Sequence, residues 1–490
     1  MPRDRLRACP IKVRREHTVP LQEKIEMEIP QTLIAILTEL SQRAVKDSVT
    51  LQKTILKLGY LSGNVYQRDM EDADPKCPMQ ALNICLRHLE AKGISTLSDF
   101  FSTTVPQMAQ GALALAQNKI PLQRLLAQKP HCVTLSKNEV FAVLSAGFLG
   151  VVPPFPPDEC DNFNSYNFFN ITEDQPEKCY CLLAYFCLMA ELPLDDPKRK
   201  EKVSYSRAVL AEGEADGLIC ASSPLLPFHV EGRGCIEAVE DALQADFANK
   251  YFGGGALGYG CVQEEIRLAV CPELYVMMLL AEVMADNEAL HICGVEQFAH
   301  YSGYGDGFTF VCRAPSLVRQ EALPPGAPTF HRCYFGRGPV TPSGHRDVEV
   351  FAIDALEFPA YRQYDEDLIL REVRKAIIGF RGGPFTEPSK QIATGNWGCG
   401  VFGGDPQLKS LLQWVAASAV GKSSVYFTFG NAKVEVLGQV VAEIQGRGFD
   451  CGRLYALLKE AGASVKLQRY ETIFEAIMDM LNRLPQYVEH

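Results

Sequence analysis

The chain lacks a disulfide or zinc framework. Its seventeen cysteines are scattered singly between Cys9 and Cys451, with no CxxC pair and only Cys179, Cys181 and Cys187 close together, so they are expected to be reduced thiols. It also lacks a basic excess. The 48 Lys and Arg against 59 Asp and Glu leave a formal net charge of -11, the wrong sign for coating a phosphate backbone, and no direct nucleic-acid binding is expected. No apolar run approaches the roughly 20 residues of a membrane span. The longest, Leu274 to Val283, is interrupted by Glu282, and the basic N-terminus is not followed by the apolar segment of a secretory signal. A soluble intracellular chain is therefore expected, in the cytoplasm and/or the nucleus, and the sequon Asn170-Ile171-Thr172 is read as chance. Paired metal-ligand spacing, HExxH, GxSxG and a Walker lysine are absent, and the GxGxxG spacing is imperfect. No metal or cofactor is expected, and His88, His291 and His331 are read as structural or surface residues.

What remains is ordinary globular composition, with 47% hydrophobic and 22% charged residues over 490 positions, enough for a large core. Helical periodicity dominates from Gln31 to Gly150, where Leu33, Ile34, Leu37 and Leu40 share one face. Further helices are expected at Gln80 to Ala91, Val105 to Gln128 and Glu139 to Phe148, the last opened by a capping box of Ser136 and Glu139. The prolines of Pro153 to Pro157 mark a junction, and a helix follows over Lys178 to Met189. Beyond Ser204, short β-rich runs (Leu290 to Gly294, Val348 to Asp354, Ser424 to Phe429) alternate with helical ones (Glu264 to Met284, Asp365 to Ile378, Gln407 to Val420). That alternation predicts an α/β domain with a buried sheet and binding loops at the carboxyl ends of its strands. Residues Leu323 to Arg346 read as a surface connection. The expected division is a disordered tail over 1–30, a helical accessory region over 31–203 and an α/β domain over 204–490.

Two glycine-rich loops feed helix starts. In the first, Asp246-Phe247-Ala248-Asn249 leads to Gly253-Gly254-Gly255, and after seven residues Gln263-Glu264-Glu265 opens an amphipathic run from Ile266 to Met284. Glycines let main chain approach a ligand closely, and a helix start offers amides to an anion. Taken alone, such a run is more often a plain flexible loop, and first-turn glutamates are commonly surface partners of the helix dipole. Adjacent helical residues project about 100° apart, so one of Glu264 and Glu265 is expected to point inward for proton chemistry while the other orients ligand hydroxyls. The second loop, Asn396-Trp397-Gly398-Cys399-Gly400-Val401-Phe402, precedes Asp405 as N-cap and Pro406 as N1. Two such loops suggest a ligand with a diphosphate. Tyr304, between Gly303 and Gly305, is a mobile ring suited to stacking, although a core position at a strand end is the commoner use of such a residue.

Together these strings, with ATGNWGCG at Ala393 to Gly400 and YFTFG at Tyr426 to Gly430, resemble the poly(ADP-ribose) glycohydrolases of animal type, without a long regulatory segment. The resemblance runs from about Ile120 to Phe429. It implies a macrodomain-like α/β/α unit with a mixed sheet and an N-terminal helical accessory region. It implies hydrolysis of the ribose–ribose O-glycosidic bond of poly(ADP-ribose) on ADP-ribosylated proteins, by a monomer. Glu265 is then the general acid/base, Glu264 holds ribose hydroxyls, and Asp246 and Asn249 support the same sugar. Gly253, Gly254 and Gly255, with Asn396, Trp397, Gly398, Cys399, Gly400 and Val401, backed by Phe402, are expected to cradle the diphosphate through their amides. Ile236, Glu237 and Gln263 face adenine or its ribose, Tyr304 closes over the ligand, and Phe429 lines the ribose side. The alternative class is a catalytically silent ADP-ribose reader. A polyanion recognised at one terminal unit needs local amides and no basic carpet, so its affinity is expected to fall only shallowly as salt rises; a steep slope in a salt titration would contradict this.

Overall fold

Sheet register is what brings the two glycine loops together. In the computed structural model, which describes residues 24–483 except 26, 43–44, 46, 66–78, 157–158, 160, 220–221 and 315–338, twelve strands are formed. A short antiparallel pair joins β1 (Lys24–Ile25) to β2 (Leu122–Gln123). The main sheet takes β3 (His131–Ser136), β4 (Lys202–Val209), β5 (Phe228–Glu231), β6 (Ala242–Asp246) and β7 (Glu288–Cys293). A hairpin of β8 (Ala299–Ser302) and β9 (Thr309–Arg313) stands apart, and β10 (Glu349–Ala352), β11 (Gln391–Gly395) and β12 (Ser424–Phe427) complete the sheet. Its order is β3-β4-β7-β10-β6-β11-β12-β5. The β3, β4, β7 and β10 pairings are antiparallel, and from β10 through β6, β11 and β12 to β5 every pairing is parallel.

The sheet is buried on both faces, as a mostly parallel sheet must be. Side chains alternate along β10: Val350 and Ala352 join a core built with the N-terminal helices, whereas Phe351 belongs to a second core with the C-terminal helices. The expected mixed α/β/α architecture with an N-terminal helical region is thus the observed one. Helices Pro406–Ala419, Cys451–Lys466 and Ile473–Arg483 pack together on the second face, so the chain beyond Gln445 forms part of the fold.

Local signals set several boundaries. Ser136 Oγ accepts the Glu139 amide at 3.2 Å and Glu139 Oε2 accepts the Ser136 amide at 2.7 Å, the expected capping box. Asp405 Oδ1 accepts the Gln407 amide at 2.9 Å with Pro406 at N1. Other expectations need correction. The helix foreseen over Val105 to Gln128 ends at Ala116, because Asn118 turns left-handed (φ 52°) and Pro121 follows, after which the chain becomes β2. The run from Ile266 to Met284 is broken after Val270. Pro272 has no amide to donate, and Cys271 before it is non-helical (φ -121°, ψ 70°).

The division expected at residue 203 falls inside β4, and β3, from the region read as helical, already belongs to the sheet. Within the tail expected over 1–30, residues 24–25 pair as β1, while residues 1–23 lie outside those described. His331, Pro157 and most of the Leu323 to Arg346 connection also lie outside them. No described helix is long and apolar enough to cross a membrane.

Helices Val105–Ala116 and Lys137–Phe148 touch backbone to backbone at Gly111, where a Cβ would stand 2.9 Å from Ala142 Cα. Gly111→Ala is expected to destabilise the fold by about 1–3 kcal/mol in urea unfolding, the usual cost of overpacking a rigid contact.

Candidate functional site

Across the parallel strands, Asp246 is level with Ala352, Gly395 with Phe427, and Phe427 with Glu231. The segments that follow these strand ends therefore emerge along one edge, where α/β sheets bind ligands. They are the 247–262 loop, the 396–405 loop, Thr428-Phe429 and the turn Ile236–Ala238.

Helix Gln263–Val270 opens with three residues whose side chains all turn back into the loop before it. Gln263 Oε1 accepts the Phe247 amide at 2.8 Å, and its Nε2 donates to the Ala245 carbonyl at 2.9 Å. Glu264 accepts the amides of Asn249 (2.9 Å) and Gly253 (2.6 Å). Glu265 accepts those of Gly255 (3.0 Å) and Val262 (2.9 Å). Both glutamates are buried and both meet at Gly254. A Cβ there would stand 2.8 Å from Glu264 Oε2 and 2.8 Å from Glu265 Oε1, and φ is +47°. The expectation that the three glycine amides are free for a diphosphate is corrected, since the Gly254 amide donates to the Tyr251 carbonyl at 3.0 Å and the other two are held by the glutamates.

The carbonyls of the same loop turn the other way, onto groups that the sequence reading missed. Lys178 is 1% exposed, and its Nζ donates to the carbonyls of Ala256 (3.1 Å), Gly258 (2.7 Å) and Gly260. Asn164 Nδ2 donates to those of Phe252 (3.0 Å) and Gly254 (2.9 Å). Burial pulls the Lys178 ammonium below its ordinary value, while Cys261 and Glu265 oppose that shift. The available signal was a lysine in the first turn of helix Pro176–Glu191, ahead of an uncharged stretch from Cys179 to Ala190.

Beneath the glutamates, Asp246 is fully buried and neither carboxyl oxygen has a hydrogen-bond partner among the described residues. Burial pushes its carboxyl up to about 8, opposed by Arg267 and aided by Glu265 and Glu237. Burial, Asp246 and Glu265 together push Glu264 well above the usual carboxylate range. Arg267 pairs with Glu237 at 3.3 Å and with Gln244 Oε1 at 2.6 Å. Glu237, expected at adenine, is thereby engaged in an ion pair with the buried Arg267, and Ile236 beside it is buried.

In the second loop the Trp397 amide donates to the Gly395 carbonyl (2.7 Å) and the Cys399 amide to Asn396 (3.0 Å), so these two expected anion contacts are turned inward. The Trp397 indole is buried, donates to the Ile353 carbonyl at 3.0 Å and lies under Lys409 Nζ, 3.2 Å from the ring centre. Gly398, Gly400, Val401 and Phe402 have no hydrogen bond to their amides among the described residues, which leaves them for a ligand. The Asn396 side chain ties the ends of β11 and β12, accepting from the Tyr426 hydroxyl and donating to the Thr428 carbonyl, each at 2.9 Å. Phe429 (φ 48°) packs against Gly395, where a Cβ would stand 2.7 Å from its ring. Tyr304, on the turn between β8 and β9, is 61% exposed, which removes the core reading. Its hydroxyl accepts the Gln263 amide at 3.1 Å.

Residues 219–436 match the family model described as poly(ADP-ribose) glycohydrolase, macro domain fold, and residues 95–207 match that family's helical domain. The chain is 30% identical to poly(ADP-ribose) glycohydrolase 1 of Arabidopsis thaliana, over 70% of this chain and 72% of that one. It is 31% identical to probable poly(ADP-ribose) glycohydrolase 2 of the same plant, over 70% and 71%. The chain belongs to the poly(ADP-ribose) glycohydrolase family. Poly(ADP-ribose) glycohydrolase 1 of Caenorhabditis elegans is 35% identical over 46% of this chain and 28% of its own. In the family's terms, both glycine loops and the 263–265 set lie in the macro domain part, whereas Lys178 and Asn164 reach the first of those loops from the helical part.

Asp246 supplies a pH test. In the unfolded chain it ionises near 3.8, and in the folded protein only near about 8. Its raised value therefore costs stability progressively as pH rises from about 4 to about 8, because only the unfolded state gains the solvated charge in that window. Asp246→Asn is expected to flatten this fall, with a Tm gain over the parent that grows from pH 5 to pH 8 in thermal melts.

Proposed function

We propose that the protein hydrolyses the ribose–ribose O-glycosidic bonds of poly(ADP-ribose) and releases ADP-ribose, with Glu265 as general acid/base. The observation that carries this reading is the convergence of two buried glutamates on one left-handed glycine at the ligand-binding edge of a macro domain fold. Glu265 donates its proton to the departing ribose oxygen as the C–O bond breaks. It then takes a proton from the water that attacks the oxocarbenium-like carbon, which restores the starting state. Two amides fix its carboxyl group, so little reorganisation is needed at the moment of transfer. Glu264, biased towards its protonated form by burial and by two neighbouring carboxyl groups, can donate to or accept from ribose hydroxyls.

The diphosphate is best served by the free amides of Gly398, Gly400, Val401 and Phe402 at the start of helix Pro406–Ala419, where the helix dipole adds to them. Phe429 and Tyr304 supply the exposed aromatic faces. The protein acts as a monomer on polymer attached to proteins, without direct nucleic-acid binding, in the cytoplasm and/or the nucleus; the acidic net charge supports the absence of nucleic-acid binding. A silent reader is not favoured, since the relatives matched over 70% of this chain are named as glycohydrolases.

Glu265→Gln is isosteric and removes the transferable proton, and its one oxygen can still accept one of the two amides that Glu265 holds. It is expected to lower cleavage of poly(ADP-ribose) by about 10²–10⁴-fold, the usual worth of a positioned acid/base, while ADP-ribose affinity by calorimetry stays within about tenfold. Parent protein that binds ADP-ribose yet never releases it from polymer would overturn the reading.

A further inference from the structure

Lys178 lies outside the ligand cleft, yet it is the buried group most directly tied to the loop that holds Glu265. Its Nζ faces the carbonyls of Gly255 (3.5 Å), Ala256, Gly258 and Gly260, so residues 255–260 curl around one ammonium as they would around a bound cation. No carboxylate forms a salt bridge with it among the described residues, and main-chain carbonyls are its hydrogen-bond acceptors. Gly255 is gripped from both sides: its amide donates to Glu265 Oε1, and its carbonyl faces Lys178. Turning the carbonyls of this stretch inward leaves the Gly255 and Val262 amides aimed at Glu265. Gly260 must remain without a side chain, since a Cβ would stand 2.6 Å from Glu265 Oε1.

We propose that Lys178 is a positioning residue for the reaction at Glu265. Through it the helical region sets the shape of the 253–262 loop, and so fixes the orientation of the Glu265 carboxyl group. The inference rests on the catalytic reading of Glu265 given above. Asn164, also from the helical region, holds the earlier carbonyls of Phe252 and Gly254, so the loop is anchored at two places by chain outside the macro domain part. Main-chain carbonyls also hold the buried Lys422, away from the site, so what sets Lys178 apart is which loop it gathers: the one whose amides hold the Glu265 carboxyl group.

The experiment compares the parent with Lys178→Met and Lys178→Gln in three readouts: steady-state cleavage of poly(ADP-ribose), ADP-ribose binding, and amide hydrogen exchange. Lys178→Met removes every donor, and kcat is expected to fall about 100-fold with KM and ADP-ribose affinity within about threefold, as for a misplaced catalytic group. Exchange should quicken in 253–262 and stay at the parent rate in 179–191. Lys178→Gln keeps two donors and is expected to lose about tenfold in kcat. Parent-like kcat in folded Lys178→Met overturns the proposal. So does a loss shared between kcat and KM with exchange quickened through the whole helical region. If the methionine variant does not fold, the glutamine variant decides by the same measures, and parent-like kcat in it is equally fatal. A parent protein that cleaves no polymer would remove the catalytic reading alone, because the exchange comparison still reports whether Lys178 sets the loop.

Discussion

Between β6 and helix Gln263–Val270, sixteen residues of glycine-rich chain are held by opposite charges on opposite sides, and the rest of the site depends on that grip. Glu264 and Glu265 collect amides at Asn249, Gly253, Gly255 and Val262, while Lys178 collects carbonyls from Gly255 to Gly260. Phe252, Ala256 and Leu257 anchor the loop in the core, but its five glycines have no side chain to fix them, so their polar main-chain groups must find partners or be solvated. Here buried charges are those partners, and each charge is in turn made tolerable by the dipoles it gathers. The carboxyl groups with a place in the chemistry are thus also the groups that hold the loop in shape.

That economy explains the glycines better than ligand approach does. Gly254 has a left-handed backbone and would drive a Cβ into both carboxylates, and a side chain at Gly253 would meet Met278 Sδ at 2.6 Å. The triple glycine therefore gives room to Glu264 and Glu265. Amides with no hydrogen bond among the described residues are found instead at the second loop, at Gly398, Gly400, Val401 and Phe402. That loop rests on a buried cation too: Lys409 lies on the face of Trp397 and pairs with Glu372. Each glycine loop has a lysine behind it, one from the helical region and one from the sheet's own helix.

Sheet topology makes the two loops one site. Only from β10 to β5 do strands run parallel, and only there do successive loops leave the same edge. The antiparallel half, β3, β4 and β7, takes no part in that edge, yet it joins the helical region to the sheet through a shared core. This arrangement puts helix Pro176–Glu191 close enough to the catalytic loop for Lys178 to reach it.

Periodicity and end signals by themselves determined the helical first part, the alternating second part, the capping box at Ser136 and the N-cap at Asp405, because these rest on interactions a few residues apart. Motif strings likewise singled out Asp246, Asn249, Glu264, Glu265 and the second loop, and a resemblance carried by those strings anticipated the family. Helix ends at Ala116 and Val270 were misplaced although Asn118 and Pro272 were visible, since apolar spacing continued past both. The tertiary structure alone decided which polar groups face a ligand. Glu237 is drawn to Arg267, Trp397 is buried under Lys409, and the three glycine amides are taken by neighbours. Lys178 and Asn164 stand 70 residues or more from the carbonyls they hold, and nothing local in a sequence records a hydrogen bond made across that distance. A residue type shows what chemistry is possible, and only packing shows which partner has already claimed it.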